Sequence, residues 1–164
     1  MKGMTNVFGE LDIKDRWNLK IIKVEPHEVK SYTPIGMAYV MMRNASFESK
    51  DISLSYKYGC VNTRDPFTVE CEEDSSACIV DFPGLSLLET RIFIQECLDM
   101  GNLSYMDGGT NTTAINPGRL GDPVINYVHF PAHMYQTLHT HPSHRVGLVI
   151  RGNGKIELDN KEYY

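Results

Sequence analysis

Residues 52–58, ISLSYKY, place Ile52, Leu54, Tyr56 and Tyr58 on one parity and Ser53, Ser55 and Lys57 on the other. Successive side chains of an extended chain point to opposite faces, so this alternation predicts a strand with one buried face. Working outward, LKIIKV (19–24), MAYVMM (37–42) and ACIVDF (77–82) are similarly rich in β-branched and apolar residues and are separated by short polar or proline-containing breaks. Each predicts a strand. Residues 85–98 are long enough for a helix, but the β-branched run ETRIFI (89–94) favours a strand.

Residues 101–123 hold five Gly, two Pro and three Asn without a hydrophobic period, which predicts a long loop or a boundary. Beyond it, VINYVHF (124–130), YQTLHTH (135–141), VGLVIR (146–151) and KIEL (155–158) read as short, closely spaced strands. Gly152-Asn153-Gly154 and Asp159-Asn160 carry hairpin-turn chemistry, because Gly and Asn tolerate the positive φ of tight turns. The organisation expected is therefore a β-rich region over 1–100, a loop or linker over 101–123 and a second β segment over 124–164. Many short strands with such turns suggest a sandwich or barrel. The last strand, ending in KEYY, lacks a partner in this reading, so continuation of the chain or pairing with a second copy in a homodimer is expected.

The chain has 164 residues, enough for one full domain, and 41% hydrophobic with 10% aromatic residues is enough for a core, which excludes disorder throughout. Sixteen Lys and Arg against 21 Asp and Glu give a net charge of −5, which disfavours nucleic-acid contact. Neither a signal-peptide run nor an apolar stretch of membrane-spanning length is present, so a cytoplasmic location and no membrane contact are expected. Cys60, Cys71, Cys78 and Cys97 form no C-x-x-C pair and read as free thiols. No nucleophile elbow or phosphate-binding loop is present. The N-x-S/T triplets at Asn44, Asn102 and Asn111 read as chance matches.

Five of the six histidines fall within 16 residues, at His129, His133, His139, His141 and His144. On an extended strand, His139 and His141 would share a face and present two imidazoles to one cavity, a chelating arrangement for Fe, Mn, Ni or Zn. The alternative is a pair that is merely hydrogen-bonded or solvated. The stretch LHTHPSHRVGLVIRG (138–152) resembles the first motif of the cupin superfamily, G-x5-H-x-H-x(3,4)-E-x6-G. His139 and His141 stand at the paired positions and Gly152 at the closing glycine, with the apolar VGLVI between. His133 stands where the family has its opening glycine, and Arg145 where it has a metal-binding glutamate. Arginine stays charged and has no lone pair to give a cation, so a third ligand would have to be His133, His144 or a residue of a second motif beyond Tyr164.

That resemblance implies a mainly β fold, a jelly-roll barrel of cupin type. The N-terminal region would be either a degenerate barrel, as in a truncated bicupin, or extra strands. It also implies a divalent metal and a small-molecule ligand. Arg145, placed by parity with Gly147 toward the same interior, would either grip a substrate anion or pair with an internal glutamate. Gln136, Tyr135 and His129 are candidates for polar ligand contacts, and Arg119 and Asn111 for lid residues. Two functions follow as expectations: a metal-dependent cupin enzyme of oxygenase or isomerase type acting on a small polar or acidic metabolite, or a non-catalytic small-ligand-binding or sensory domain of a regulator.

Overall fold

The longest strand, Phe67–Phe82, has a neighbour along each side for nearly its whole length, and the main sheet is built around it. In chain order the strands are β1 (Glu10–Ile13), β2 (Leu19–Val24), β3 (Val29–Tyr32), β4 (Met37–Ser49), β5 (Ile52–Thr63), β6 (Phe67–Phe82) and β7 (Arg91–Gln95). There follow β8 (Leu103–Ser104), β9 (Thr110–Ile115), β10 (Ile125–His129), β11 (Ile156–Leu158) and β12 (Lys161–Tyr163). This computed structural model describes residues 10–14, 18–86, 89–95, 100–158 and 160–163. Cys97 lies outside the described residues.

The protein is mainly β. Strands β1 to β7 form one antiparallel sheet in the order β1-β2-β6-β4-β5-β7, with β3 on the same edge of β6 as β2; β10-β9-β8 and β11-β12 form smaller antiparallel sheets. The only helical turn among the described residues is the 3-10 turn Met106–Gly108. No helix among them is long and apolar enough to cross a membrane.

A bulge lets β4 keep one face in the core along its whole length. Pairing with β6 runs from Met37↔Phe82 to Arg43↔Ser76 and resumes at Ala45↔Cys71, so Asn44 faces the four residues 72–75. Asn44 takes φ 51°, a left-handed value that asparagine tolerates. The Ser75 hydroxyl donates to its carbonyl, and its own amide donates to the Asp74 carbonyl at 3.1 Å. Parity shifts by one there, so Ala38, Val40 and Met42 share a core with Ala45 and Phe47.

That core, with Ile22, Val24, Val61, Val69 and Ile79, is drawn entirely from the main sheet. The opposite face is covered by other parts of the chain. Ile115 and Ile125 pack near Met37, Tyr39 and Cys60, while Val146 and Leu148 pack near Ile21, Cys78 and Val80. The alternation in β5 holds only in its first half, where Ile52 and Leu54 reach the first core. From Cys60 to Thr63 every residue is buried, because both faces are covered.

One buried carboxylate ties β6 to the turn before β4. Asp81, fully buried, accepts the Tyr32 hydroxyl at 2.8 Å and the backbone N–H groups of Ile35 at 2.7 Å and Gly36 at 3.2 Å. A side chain at Gly36 would put its Cβ 2.0 Å from the Phe82 carbonyl oxygen, so only glycine fits.

Three sequence expectations change here. The stretch expected to be a loop or boundary contains β8 and β9. Its TNTTAI run has too few apolar residues to show a hydrophobic period. It is held instead by pairing with β10 and by the Thr110 and Thr112 hydroxyls, which accept the N–H groups of Gly101 at 2.8 Å and Asn102 at 3.1 Å. Conversely, YQTLHTH and VGLVIR form no strand. Pro131 and Pro142 offer no N–H to a ladder, and His133 (φ 61°) turns the backbone out of the extended region. A hairpin joins β11 to β12, with Asn160 at φ 59°, so the last strand, expected to lack a partner, has one in β11. Gly152 has the positive φ expected of it, 86°, but no strand precedes it.

Candidate functional site

His139 and His141 meet, although no strand carries them. Their Nε2 atoms are 3.1 Å apart, with the ring planes at 88° and the centroids 4.8 Å apart. Beyond each ring the contacts continue. His139 Nδ1 lies 2.7 Å from the Thr137 carbonyl oxygen, and the Thr137 N–H donates to Asp107 Oδ2 at 2.7 Å. On the other side, Arg145 Nη2 lies 3.1 Å from His141 Nδ1, while its Nη1 donates to the Ser143 hydroxyl at 3.2 Å.

The local folding follows from turn chemistry. Asp107 sits at φ 54° in the 3-10 turn between β8 and β9, followed by Gly108 at φ 88°. That pair of left-handed residues presents the Asp107 carboxylate to the segment after β10. The hydrogen bond from the Thr137 backbone holds the Asp107 carboxyl below the usual carboxylate range, and the neighbouring His139 adds to the effect. The segment is then anchored on the main sheet by Val146 and Leu148.

The setting differs from the expected interior cavity. His139, His141 and Arg145 are all exposed, because the backbone that carries them crosses the surface outside any sheet. Arg145 accordingly meets His141 and Ser143 rather than a buried anion or an internal glutamate. The partial desolvation that remains lowers the His141 pKa, helped by the charge of Arg145 and by His139. His133 and His144 are exposed as well, and among the described residues no group of three or more His, Cys, Asp or Glu is disposed to hold a metal ion. The two convergent nitrogens fit two positions of one ion's shell, since imidazole ligands about 2.0–2.1 Å from an ion stand roughly 2.8–3.4 Å apart at 90–109°.

The remaining candidates scatter. Tyr135 is exposed. Gln136 and His129 are half-buried, and Gln136 Nε2 and His129 Nδ1 are buried without a hydrogen-bond partner. Asn111 lies within β9 rather than in a lid, paired opposite Val128 and Leu103, and its Oδ1 is likewise unpartnered. Arg119 is held by the Asp122 carboxylate through two hydrogen bonds, at 3.1 and 3.2 Å, which leaves it poorly placed to act as a lid. Cys60, Cys71 and Cys78 are free and buried, as expected of thiols without a redox motif. Burial pushes Cys60 and Cys78 up to about 12 and Cys71 up to about 11, so none supplies a thiolate at neutral pH.

Sequence reasoning missed Asp107 and Thr137, which hold His139, and Tyr39. Tyr39 is buried with its hydroxyl short of a partner in hydrogen-bonding geometry. The nearby Asn62 amide is committed to the Glu89 carbonyl and the Arg91 N–H. Burial pushes the Tyr39 phenol up to about 12. The Asp107-Gly108 dipeptide was the one available signal, since Asp-Gly marks a turn. A surface groove of about 390 Å³ lies elsewhere, between β3 and the β4–β5 turn, lined by residues that include Ser31, Tyr32, Glu48, Lys50 and Phe67.

No family model matches this chain, and no curated protein matches it. Among solved structures, an IolB-like protein from Salmonella typhimurium LT2 is similar over 60% of this chain and 44% of that one, at 13% identity and a TM-score of 0.43. A likeness at that level assigns neither activity nor ligand.

Proposed function

We propose that this protein is a metal-dependent enzyme of cupin type that acts on a small polar or acidic metabolite, with His139 and His141 as two ligands of one divalent ion. The observation that carries the reading is the 3.1 Å approach of the two Nε2 atoms, which one ion can bridge. The spacing of His139, His141 and Gly152 and the mainly β, antiparallel architecture agree with a cupin-type barrel. Fe, Mn, Ni and Zn all accept imidazole nitrogen. When bound, such an ion supplies Lewis acidity to a substrate oxygen. The chain's own contribution is to aim the rings: Asp107 fixes the Thr137 backbone, and that backbone fixes His139. Arg145 brings a permanent positive charge beside the pair, suited to a carboxylate, sulfonate or phosphate on the ligand.

Arg145 also favours a second reading, a ligand-binding or sensory domain without chemistry. Its hydrogen bonds to the Ser143 hydroxyl and the His141 ring bring it no negative charge, so its charge is available to an anion. Elemental analysis of protein purified without an affinity tag separates the two readings. Near-stoichiometric metal that disappears in the His139→Ala, His141→Ala double variant supports the enzyme. Absence of metal, with a rise in melting temperature on adding small acids that Arg145→Ala abolishes, supports the binding domain.

A further inference from the structure

The contacts around the histidine pair fix where every ring proton sits. A carbonyl oxygen can only accept, so His139 must donate from Nδ1 to Thr137, and the neutral ring then carries a bare lone pair on Nε2. A guanidinium can only donate, so His141 must accept from Arg145 at Nδ1 and therefore carries its proton on Nε2. The two assignments agree with each other, because the His141 Nε2–H then points at the bare Nε2 of His139, 3.1 Å away. With these assignments the hydrogen bonds run in one direction from Arg145 through His141 and His139 to Thr137. The Asp107 carboxylate accepts the N–H of the residue whose carbonyl ends that chain, Thr137.

We propose that Arg145 and Asp107 are positioning residues that set the two imidazoles in opposite tautomers. His139 offers its Nε2 at once, while His141 offers one only after Arg145 has left its Nδ1. For His141 to ligate through Nε2, the proton there is lost to water and another is taken up at Nδ1. The ring stays neutral, and the Arg145 donor, now facing an N–H, must turn away. The guanidinium released in this way is then free for an anion, which would couple ion and anion binding at one site. This consequence rests on the metal reading above; the tautomers themselves do not.

The test is ring-nitrogen NMR of the 15N-labelled chain, free of metal, at about pH 8, where unperturbed imidazoles are neutral. The expected result is an Nδ1–H tautomer for His139 and an Nε2–H tautomer for His141. Asp107→Gly keeps the left-handed backbone and removes the acceptor, and should let His139 relax toward a mixture of tautomers. Asp107→Asn retains an oxygen for the Thr137 N–H and should keep the wild-type pattern, which separates this role from a general loss of folding. Arg145→Ala should release His141 alone. Zinc titration then reads the consequence: Arg145→Ala should bind about two- to tenfold more tightly and Asp107→Gly about two- to tenfold more weakly, the scale of one net hydrogen bond. Rings in the same tautomer, or tautomers unmoved by Asp107→Gly and Arg145→Ala, would overturn the proposal. Opposite tautomers that respond to both variants in a protein indifferent to zinc would uphold it and remove the metal reading instead.

Discussion

The main sheet and the segment 130–155 solve the same problem in opposite ways. In the sheet, backbone N–H and C=O groups pair along β2, β4, β5 and β6, and side chains meet in continuous cores. Between His129 and Ile156 the backbone joins no ladder. The segment is held by isolated links: Thr137 to Asp107, Met134 N–H to the Pro131 carbonyl, and the docking of Val146 and Leu148. The sheet therefore tolerates the loss of any one surface contact, whereas the geometry of the histidine pair depends on a few named atoms. The histidine pair sits on the part with the least redundancy, and loops over a rigid scaffold are where binding residues are commonly placed.

The largest expected effect breaks the sheet side of this comparison. Asp81→Ala leaves the Tyr32 hydroxyl and the Ile35 and Gly36 N–H groups without their acceptor, and should cost about 3 kcal/mol or more in denaturant unfolding. A loss below about 1 kcal/mol would mean that water replaces the carboxylate there. Leu148→Ala comes next. It should cost about 1–2 kcal/mol, less than a full core truncation because the residue is half-buried, and should loosen the histidine pair with it. Labelling sharpens the contrast without a mutation: Cys60, Cys71 and Cys78 should react with a thiol reagent at neutral pH only as fast as the protein unfolds. Rapid labelling of folded protein at these positions would contradict the described core.

The smallest effects belong to the loop. His139→Ala should change stability by less than about 0.5 kcal/mol, as expected for an exposed side chain. Acid should act through Asp107. Its carboxyl is held below the ordinary value near 3.9, so the folded state gains from it above that pH. The gain is lost as pH falls through the lower, folded value. Amide exchange at Thr137 should accelerate only in that acidic window, and acceleration already at pH 5 to 6 would show that another group holds this peptide.

What could be read from the sequence divides along the same line. Alternating and β-branched runs located β2, β4, β5, β6 and β10, and ETRIFI located β7, because burial of a strand face leaves a periodic trace. The bulge at Asn44 left none, since its cause is a local hydrogen-bond pattern with residues 74 and 75. Strand β9 was invisible for a related reason: its threonines are chosen for hydroxyl contacts, not for apolar burial. His139 and His141 were legible as a pair from their spacing and the resemblance of the surrounding motif. Their route to one another was not, because it runs through Asp107, 30 residues from Thr137, and through loop turns at His133 and Asp107. Apolar VGLVI suggested a strand, yet only Val146 and Leu148 pack into the core, while Gly147 and Val149 remain exposed.

Cobalt X-ray absorption on the tag-free protein addresses the pair most directly, because scattering from imidazole rings counts how many hold the ion. The account predicts two rings in the wild-type spectrum and one in either His139→Ala or His141→Ala, with weaker binding in both. A spectrum without imidazole scattering, or one that both substitutions leave unchanged, would contradict it.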